Sequence, residues 1–259
     1  MVSRKPIVAM SWAMRQNKKE DAQKFVRELI SLLDQETKVE KILFPSMGTI
    51  NYVAEITKSS NIGLGAQNIS THMQGEFSGE YSIESLVDCG GRYVEIGHWE
   101  RKIYNGETYK SINKKINIAL KNEVIPIVCV GEEEKIDDYT ELYKYLKLEI
   151  FNILYEIPKE LANNIVIAYT PKWAVGKTRA ASAPYVHKAG ELLRTILEDY
   201  LGSEYSEGIR IIYGGSVSPE NAALITQNPL IDGVLIGRFG STPSRYAEVV
   251  NVVEKNKAN

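Results

Sequence analysis

The feature that most constrains this chain is a rhythm. A short run rich in Val, Ile and Leu is followed by a polar loop and then by a segment with apolar residues at helical spacing, and the unit recurs eight times. The strand-like runs fall near residues 6–12, 39–44, 62–67, 92–97, 124–130, 164–170, 208–213 and 233–237. The helical segments between them include 21–33, 111–122, 140–155, 184–200, 219–225 and 246–255. Several runs are apolar throughout, as in Ile125-Pro126-Ile127-Val128-Cys129-Val130. A strand of that kind is covered on both faces, which is the pattern of a parallel sheet ringed by helices.

Two α/β architectures satisfy this pattern: a closed eight-stranded (β/α)8 barrel and an open doubly wound sheet. The open sheet would place a glycine-rich turn after the first strand to hold a pyrophosphate, and Met10-Ser11-Trp12-Ala13-Met14-Arg15 stands there instead. No linker or low-complexity tract interrupts the period, so residues 1–259 read as one domain. A chain of 259 residues with 44% hydrophobic composition can fill one large core.

With 31 basic against 33 acidic residues, the chain carries no electrostatic footprint for nucleic acid or an anionic membrane. The start, Met1-Val2-Ser3-Arg4-Lys5-Pro6, lacks the apolar core of a secretory leader, and a soluble cytoplasmic protein is expected. Cys89 and Cys129 read as two reduced core thiols. His72, His98 and His187 are too scattered for a metal cage, so neither a metal nor another cofactor is expected.

Particular motifs narrow the reading further. Trp12 follows the first strand, Gly65-Ala66-Gln67-Asn68 the third, Gly97-His98 the fourth and Gly131-Glu132 the fifth. Tyr213-Gly214-Gly215-Ser216-Val217 closes the seventh, and Asp232-Gly233 opens the eighth. In this combination, over essentially the whole length, the chain resembles the triosephosphate isomerase family. Ser11 and Gly237-Arg238 are closer to its tetrulose-phosphate isomerase branch. The resemblance implies the closed barrel, a small sugar-phosphate or other carbonyl ligand, and a homodimer to which the third loop, with Phe77-Ser78-Gly79-Glu80, contributes.

The resemblance also exposes a gap. That family moves a proton between adjacent carbons with a carboxylate base, a neutral imidazole and a lysine that stabilises negative charge. The imidazole maps onto His98, but the lysine's place is Ala13 and the carboxylate's place, in Ala168-Tyr169-Thr170-Pro171-Lys172-Trp173-Ala174-Val175, is Thr170. A threonine hydroxyl is no base at neutral pH, and alanine carries no charge. The phosphate clamp implied by the resemblance is in better order: Gly176, Ser216 and Gly237, with Arg238 adding a cation. Lys177 and Arg179 add positive charge in the same loop without an assigned role.

Three readings follow. The first is an isomerase-family barrel that has largely lost aldose–ketose isomerisation while keeping phosphosugar binding. The second is a repurposed or redesigned enzyme in which Lys172 attacks a carbonyl as a Schiff-base amine for aldol or retro-aldol chemistry. There Trp12, Ala13, Trp99, Thr170 and Phe239 line the pocket, and His98 shuttles protons. Met10 and Met73 belong to the same set of departures expected at the mouth. The third is a non-catalytic scaffold.

Overall fold

The computed structural model describes residues 4–33, 38–177, 180–240 and 242–257; Met1, Val2, Ser3 and Arg179 lie outside the described residues. Eight strands, β1 (Ile7–Ser11), β2 (Glu40–Phe44), β3 (Ile62–Ala66), β4 (Tyr93–Ile96), β5 (Ile125–Val130), β6 (Val166–Tyr169), β7 (Arg210–Gly214) and β8 (Gly233–Ile236), pair in sequence order. Each pairing is parallel, and β1 pairs with both β2 and β8, so the sheet closes. This is the (β/α)8 barrel, one of the two architectures the pattern allowed and the one the resemblance implied, and the open sheet is excluded.

Closure has a steric requirement at the last seam. Gly233 sits opposite Ile7 with φ 151°, and a Cβ there would lie 1.8 Å from the Ile7 carbonyl oxygen. The preceding Asp232 accepts hydrogen bonds from Arg4 Nε at 2.7 Å, Arg194 Nη2 at 2.8 Å and the Ile211 amide at 2.7 Å. Asp232-Gly233 therefore joins β7, β8 and β1 at the amino end.

The core forms two shells. Helices such as Lys19–Leu33, Tyr139–Ile153, Ala183–Leu201 and Pro243–Lys257 pack on the outward strand residues. Inside the barrel a smaller cluster gathers Ile7, Ala9, Ile42, Phe44, Ile127, Cys129, Val166, Ala168, Ile212 and Leu235. These residues recur at every second position of their strands, as the pleat demands. On β4 the same alternation turns Glu95 inward; it is 3% exposed and paired in register with Ile127.

Strand ends differ from the expected ones by at most two residues and helix ends by at most three. β6 begins at Val166 because the Asn164 and Ile165 amides donate to Leu161 and Ala162 in the preceding turn. The structure also supplies helices Ile50–Thr57 and Ile83–Asp88, which are short enough that the periodic signal is weak. Among the described residues no helix is long and apolar enough to cross a membrane. Cys129 is buried, Cys89 half-buried, and both are free thiols.

Candidate functional site

At the carboxyl ends of the strands a cavity of about 510 Å³ opens, reaching from the β1 exit round to the β8 exit. Another, of about 620 Å³, lies at the amino end among Lys5, Glu40, Tyr93 and Glu254. In a barrel the carboxyl end carries the chemistry and the amino end carries stability. The hydrogen bonds of Glu40 with Tyr93 and Arg210 at that second cavity agree with a structural role.

The mouth brings together Ala13, His98, Trp99, Thr170, Gly176, Ser216, Gly237, Arg238 and Phe239, all expected from sequence. His98 caps the helix Trp99–Tyr104, and its Nδ1 accepts from the Glu100 amide at 3.4 Å. That bond leaves Nε2 to carry the ring proton in the neutral tautomer. Burial is the largest influence on the imidazole and lowers its pKa, against the opposing charge of Glu100. The positive end of the helix disfavours protonation too.

Ala13 and Thr170 are fixed by backbone contacts. Ala13 sits at φ 50°, and its carbonyl accepts from Ser46 Oγ and Gln67 Nε2, both at 2.9 Å. The Thr170 amide donates to Val130 at 2.7 Å. Gly131 permits the close approach of the β5 and β6 exits: a Cβ there would meet Pro171 N at 2.8 Å. Neither side chain brings a titratable group to the wall.

The turn after Thr170 is pinned by a buried carboxylate. Glu132 accepts from Tyr169 Oη at 2.9 Å, Trp173 Nε1 at 2.7 Å and Tyr185 Oη at 3.0 Å. Its backbone carbonyl accepts from the Lys172 amide at 2.9 Å. This anchoring corrects the expectation for Lys172. Its side chain leaves the turn away from the cavity and pairs with Glu133 at 2.8 Å, so Lys172 does not line the mouth. An ion-paired ammonium outside the wall is not a Schiff-base nucleophile for a ligand inside it.

Three further expectations are corrected by burial. Trp12 is 2% exposed and packs edge-on against Phe25 at 5.0 Å, so it belongs to the outer core and does not line the cavity. Met10 is buried in the same shell, because residue 10 of β1 points outward. Met73 is exposed on the loop after β3 and away from the cavity wall.

The clamp end of the cavity is positive. Arg238 Nη2 donates to the Gly176 and Lys177 carbonyls, each at 3.2 Å, and its guanidinium covers the Phe239 ring at 4.9 Å. Ser216 Oγ donates to Ala174 at 2.9 Å and Lys177 at 2.8 Å, tying the β7 exit to the same loop. Arg15, which no sequence motif singled out, lies beside Gly237: a Cβ on that glycine would stand 4.0 Å from Arg15 Nη2. Burial lowers the Arg15 pKa, offset by Glu100.

Glu95 is the second group that sequence reasoning missed. It reaches the cavity floor from the inward face of β4. Burial, with a smaller contribution from Glu100, raises its pKa to about 7, while the Ser11 hydroxyl opposes the shift. The signal was available: an acid at an inward position of Tyr93-Val94-Glu95-Ile96 breaks the apolar alternation. Trp99 also lines the cavity, and its Nε1 is buried without a hydrogen-bond partner. Among the described residues no group of three or more His, Cys, Asp or Glu side chains is placed to hold a metal ion.

Comparison with known proteins agrees with this architecture. The family model for triosephosphate isomerase matches residues 6–253. A probable triosephosphate isomerase 2 of Listeria monocytogenes serotype 4b (strain F2365) is 39% identical over 254 residues, covering 98% of this chain and 99% of the relative. The triosephosphate isomerase of Carboxydothermus hydrogenoformans is 39% identical over 249 residues, covering 95% and 98%. That of Chloroflexus aurantiacus is 36% identical over 246 residues, again covering 95% and 98%. With the closed barrel, the mouth at its carboxyl end and this match along nearly the whole length, the chain belongs to the triosephosphate isomerase family.

Proposed function

We propose that the mouth binds a small phosphorylated carbonyl compound, and that aldose–ketose isomerisation by the usual lysine and carboxylate is largely lost. The observation that carries this reading is the contrast across one cavity: two arginines stand at the clamp end, whereas Ala13 and Thr170 occupy the wall where the acid/base set belongs. A general base contributes about 10²–10⁴-fold to such a reaction. An electrostatic stabiliser of the oxyanion contributes about 10²–10³-fold more. Loss of both leaves binding without ordinary turnover.

Ser11 and Arg238 favour a four-carbon sugar phosphate over a three-carbon one, as in the tetrulose-phosphate branch. A homodimer is supported by Met73 and Phe77, which are 42% and 43% exposed on the loop after β3 and offer apolar surface to a second copy. The pure-scaffold reading gains nothing from a concave, positively charged mouth, and the Schiff-base reading has no amine in it.

Calorimetric titration with glycerol 3-phosphate tests the binding claim. Saturable binding that inorganic phosphate displaces is the expected result; a flat titration at millimolar ligand would remove the reading.

A further inference from the structure

The acid/base inventory of the mouth is not exhausted by positions 13 and 170. The inward layer of the barrel is built of apolar or small side chains on β1, β5, β6, β7 and β8, namely Ala9, Cys129, Ala168, Ile212 and Leu235. On β4 a carboxyl group, Glu95, enters that layer, and it lines the cavity at the carboxyl end. Its surroundings are the Ser11 hydroxyl on β1, Cys129 Sγ on β5 at 4.0 Å, and His98 and Glu100 beyond β4. No lysine or arginine forms an ion pair with it among the described residues. A structural buried acid is ordinarily held by a cation or by several strong donors. Glu95 has a hydroxyl and a thiol.

We infer that Glu95 is the proton acceptor of this pocket, acting on a carbon next to the ligand carbonyl from the floor of the barrel and replacing the carboxylate absent at residue 170. The inference rests on the proposed ligand class, a phosphorylated α-hydroxy carbonyl compound. The phosphate sits against Arg15, Gly237 and Arg238, and the carbonyl end reaches inward toward His98 and Glu95. The Glu95 carboxylate takes the proton from the carbon. The C–H electron pair becomes the C=C bond of an enediolate, and the carbonyl π pair moves onto oxygen, which accepts a hydrogen bond from His98 Nε2–H. The Glu95 proton exchanges with water and returns to the same carbon, which gives solvent exchange. Alternatively, His98 gives its Nε2 proton to the enediolate oxygen and takes the hydroxyl proton from the neighbouring oxygen, and Glu95 returns its proton to the other carbon, which gives isomerisation with no co-reactant consumed. The raised pKa of about 7 keeps a large carboxylate fraction at neutral pH while making it a stronger base than an exposed glutamate.

The test follows exchange of the carbon-bound proton of a ketose phosphate with solvent in D2O by NMR, alongside glycerol 3-phosphate titration of the same preparations. The variants are Glu95→Gln, isosteric and uncharged, and Glu95→Asp, which retains a shortened acid. In the unmodified chain exchange is expected to rise with pH through about 7, where Glu95 ionises. Glu95→Gln should lower exchange about 100-fold or more and flatten the profile, with glycerol 3-phosphate affinity kept within about threefold. Glu95→Asp should fall between. Binding without exchange in the unmodified chain, or exchange in Glu95→Gln at the unmodified rate, overturns this role for Glu95 alone. Absence of glycerol 3-phosphate binding overturns the ligand reading itself and this inference with it.

Discussion

The Glu95 carboxyl oxygen and the Cys129 sulfur lie 4.0 Å apart on adjacent strands, inside the barrel and beneath the mouth. Each group is fully buried; burial raises the Glu95 pKa, and burial followed by the charge of Glu95 pushes the Cys129 thiol well above its ordinary range. A carboxyl whose folded pKa is raised from 4.5 to about 7 binds more protons folded than unfolded between those values. Stability therefore falls as pH rises through that window and levels off above it. Glu95→Gln should stabilise the protein by roughly 3 kcal/mol at pH 8, since each tenfold change in proton affinity is worth about 1.36 kcal/mol. The gain should shrink toward zero near pH 4.5. Urea denaturation at the two pH values checks this, and an equal gain at both would contradict a buried, titrating carboxyl.

Lys172 is held outside the cavity by its ion pair with Glu133 and by the anchored turn. Borohydride reduction in the presence of a ketose phosphate should leave Lys172 unmodified on peptide mapping. Lys172→Met should bind glycerol 3-phosphate as the unmodified chain does. A reduced adduct on Lys172 would restore the imine reading.

Arg15 beside Gly237 supplies a half-buried cation at the clamp end. Charge-assisted hydrogen bonds contribute about 1.5–3 kcal/mol each. Arg15→Ala should therefore weaken glycerol 3-phosphate binding about tenfold or more, measured by titration at fixed ionic strength. Unchanged affinity would move the phosphate away from this end of the mouth.

Asp232 is 5% exposed and bridges Arg4 and Arg194 at the seam where the barrel closes. Burial lowers the Arg194 pKa to about 10, so the guanidinium keeps its charge at neutral pH and depends on its partner. Removing one member of a buried pair costs about 3–5 kcal/mol. Asp232→Ala should lose that much on chemical denaturation while leaving ligand affinity in the folded state unchanged. A loss under 1 kcal/mol would mean that water replaces the carboxylate.

The barrel was legible because its signal is repetitive: each of the eight apolar runs became a strand, with ends displaced by no more than two residues. The mouth was legible wherever position along a strand determines exposure, which is why Ala13, His98, Thr170, Ser216 and Gly237 meet at one cavity. It failed where a side chain's direction decides the outcome. Trp12 and Lys172 stand next to wall residues and turn away, one into the helical shell and the other onto Glu133. Arg15 was overlooked because its proximity to Gly237 joins β1 to β8 across the closure, which no local pattern encodes. Glu95 lies two residues before the Gly97-His98 exit motif, and its place in the two-residue alternation turns it inward.

Ala13 and Thr170 line the mouth at the places where the resemblance puts a lysine and a carboxylate, and the proposed loss of isomerisation rests on them. The most direct measurement is steady-state interconversion of triose phosphates by the unmodified chain and by the double variant Ala13→Lys, Thr170→Glu. The double variant should be faster by about 100-fold or more, because it gains a carboxylate at residue 170 and an oxyanion stabiliser at residue 13 on a wall that already has His98. An unmodified chain that turns over triose phosphates as fast as the double variant would contradict the proposed loss.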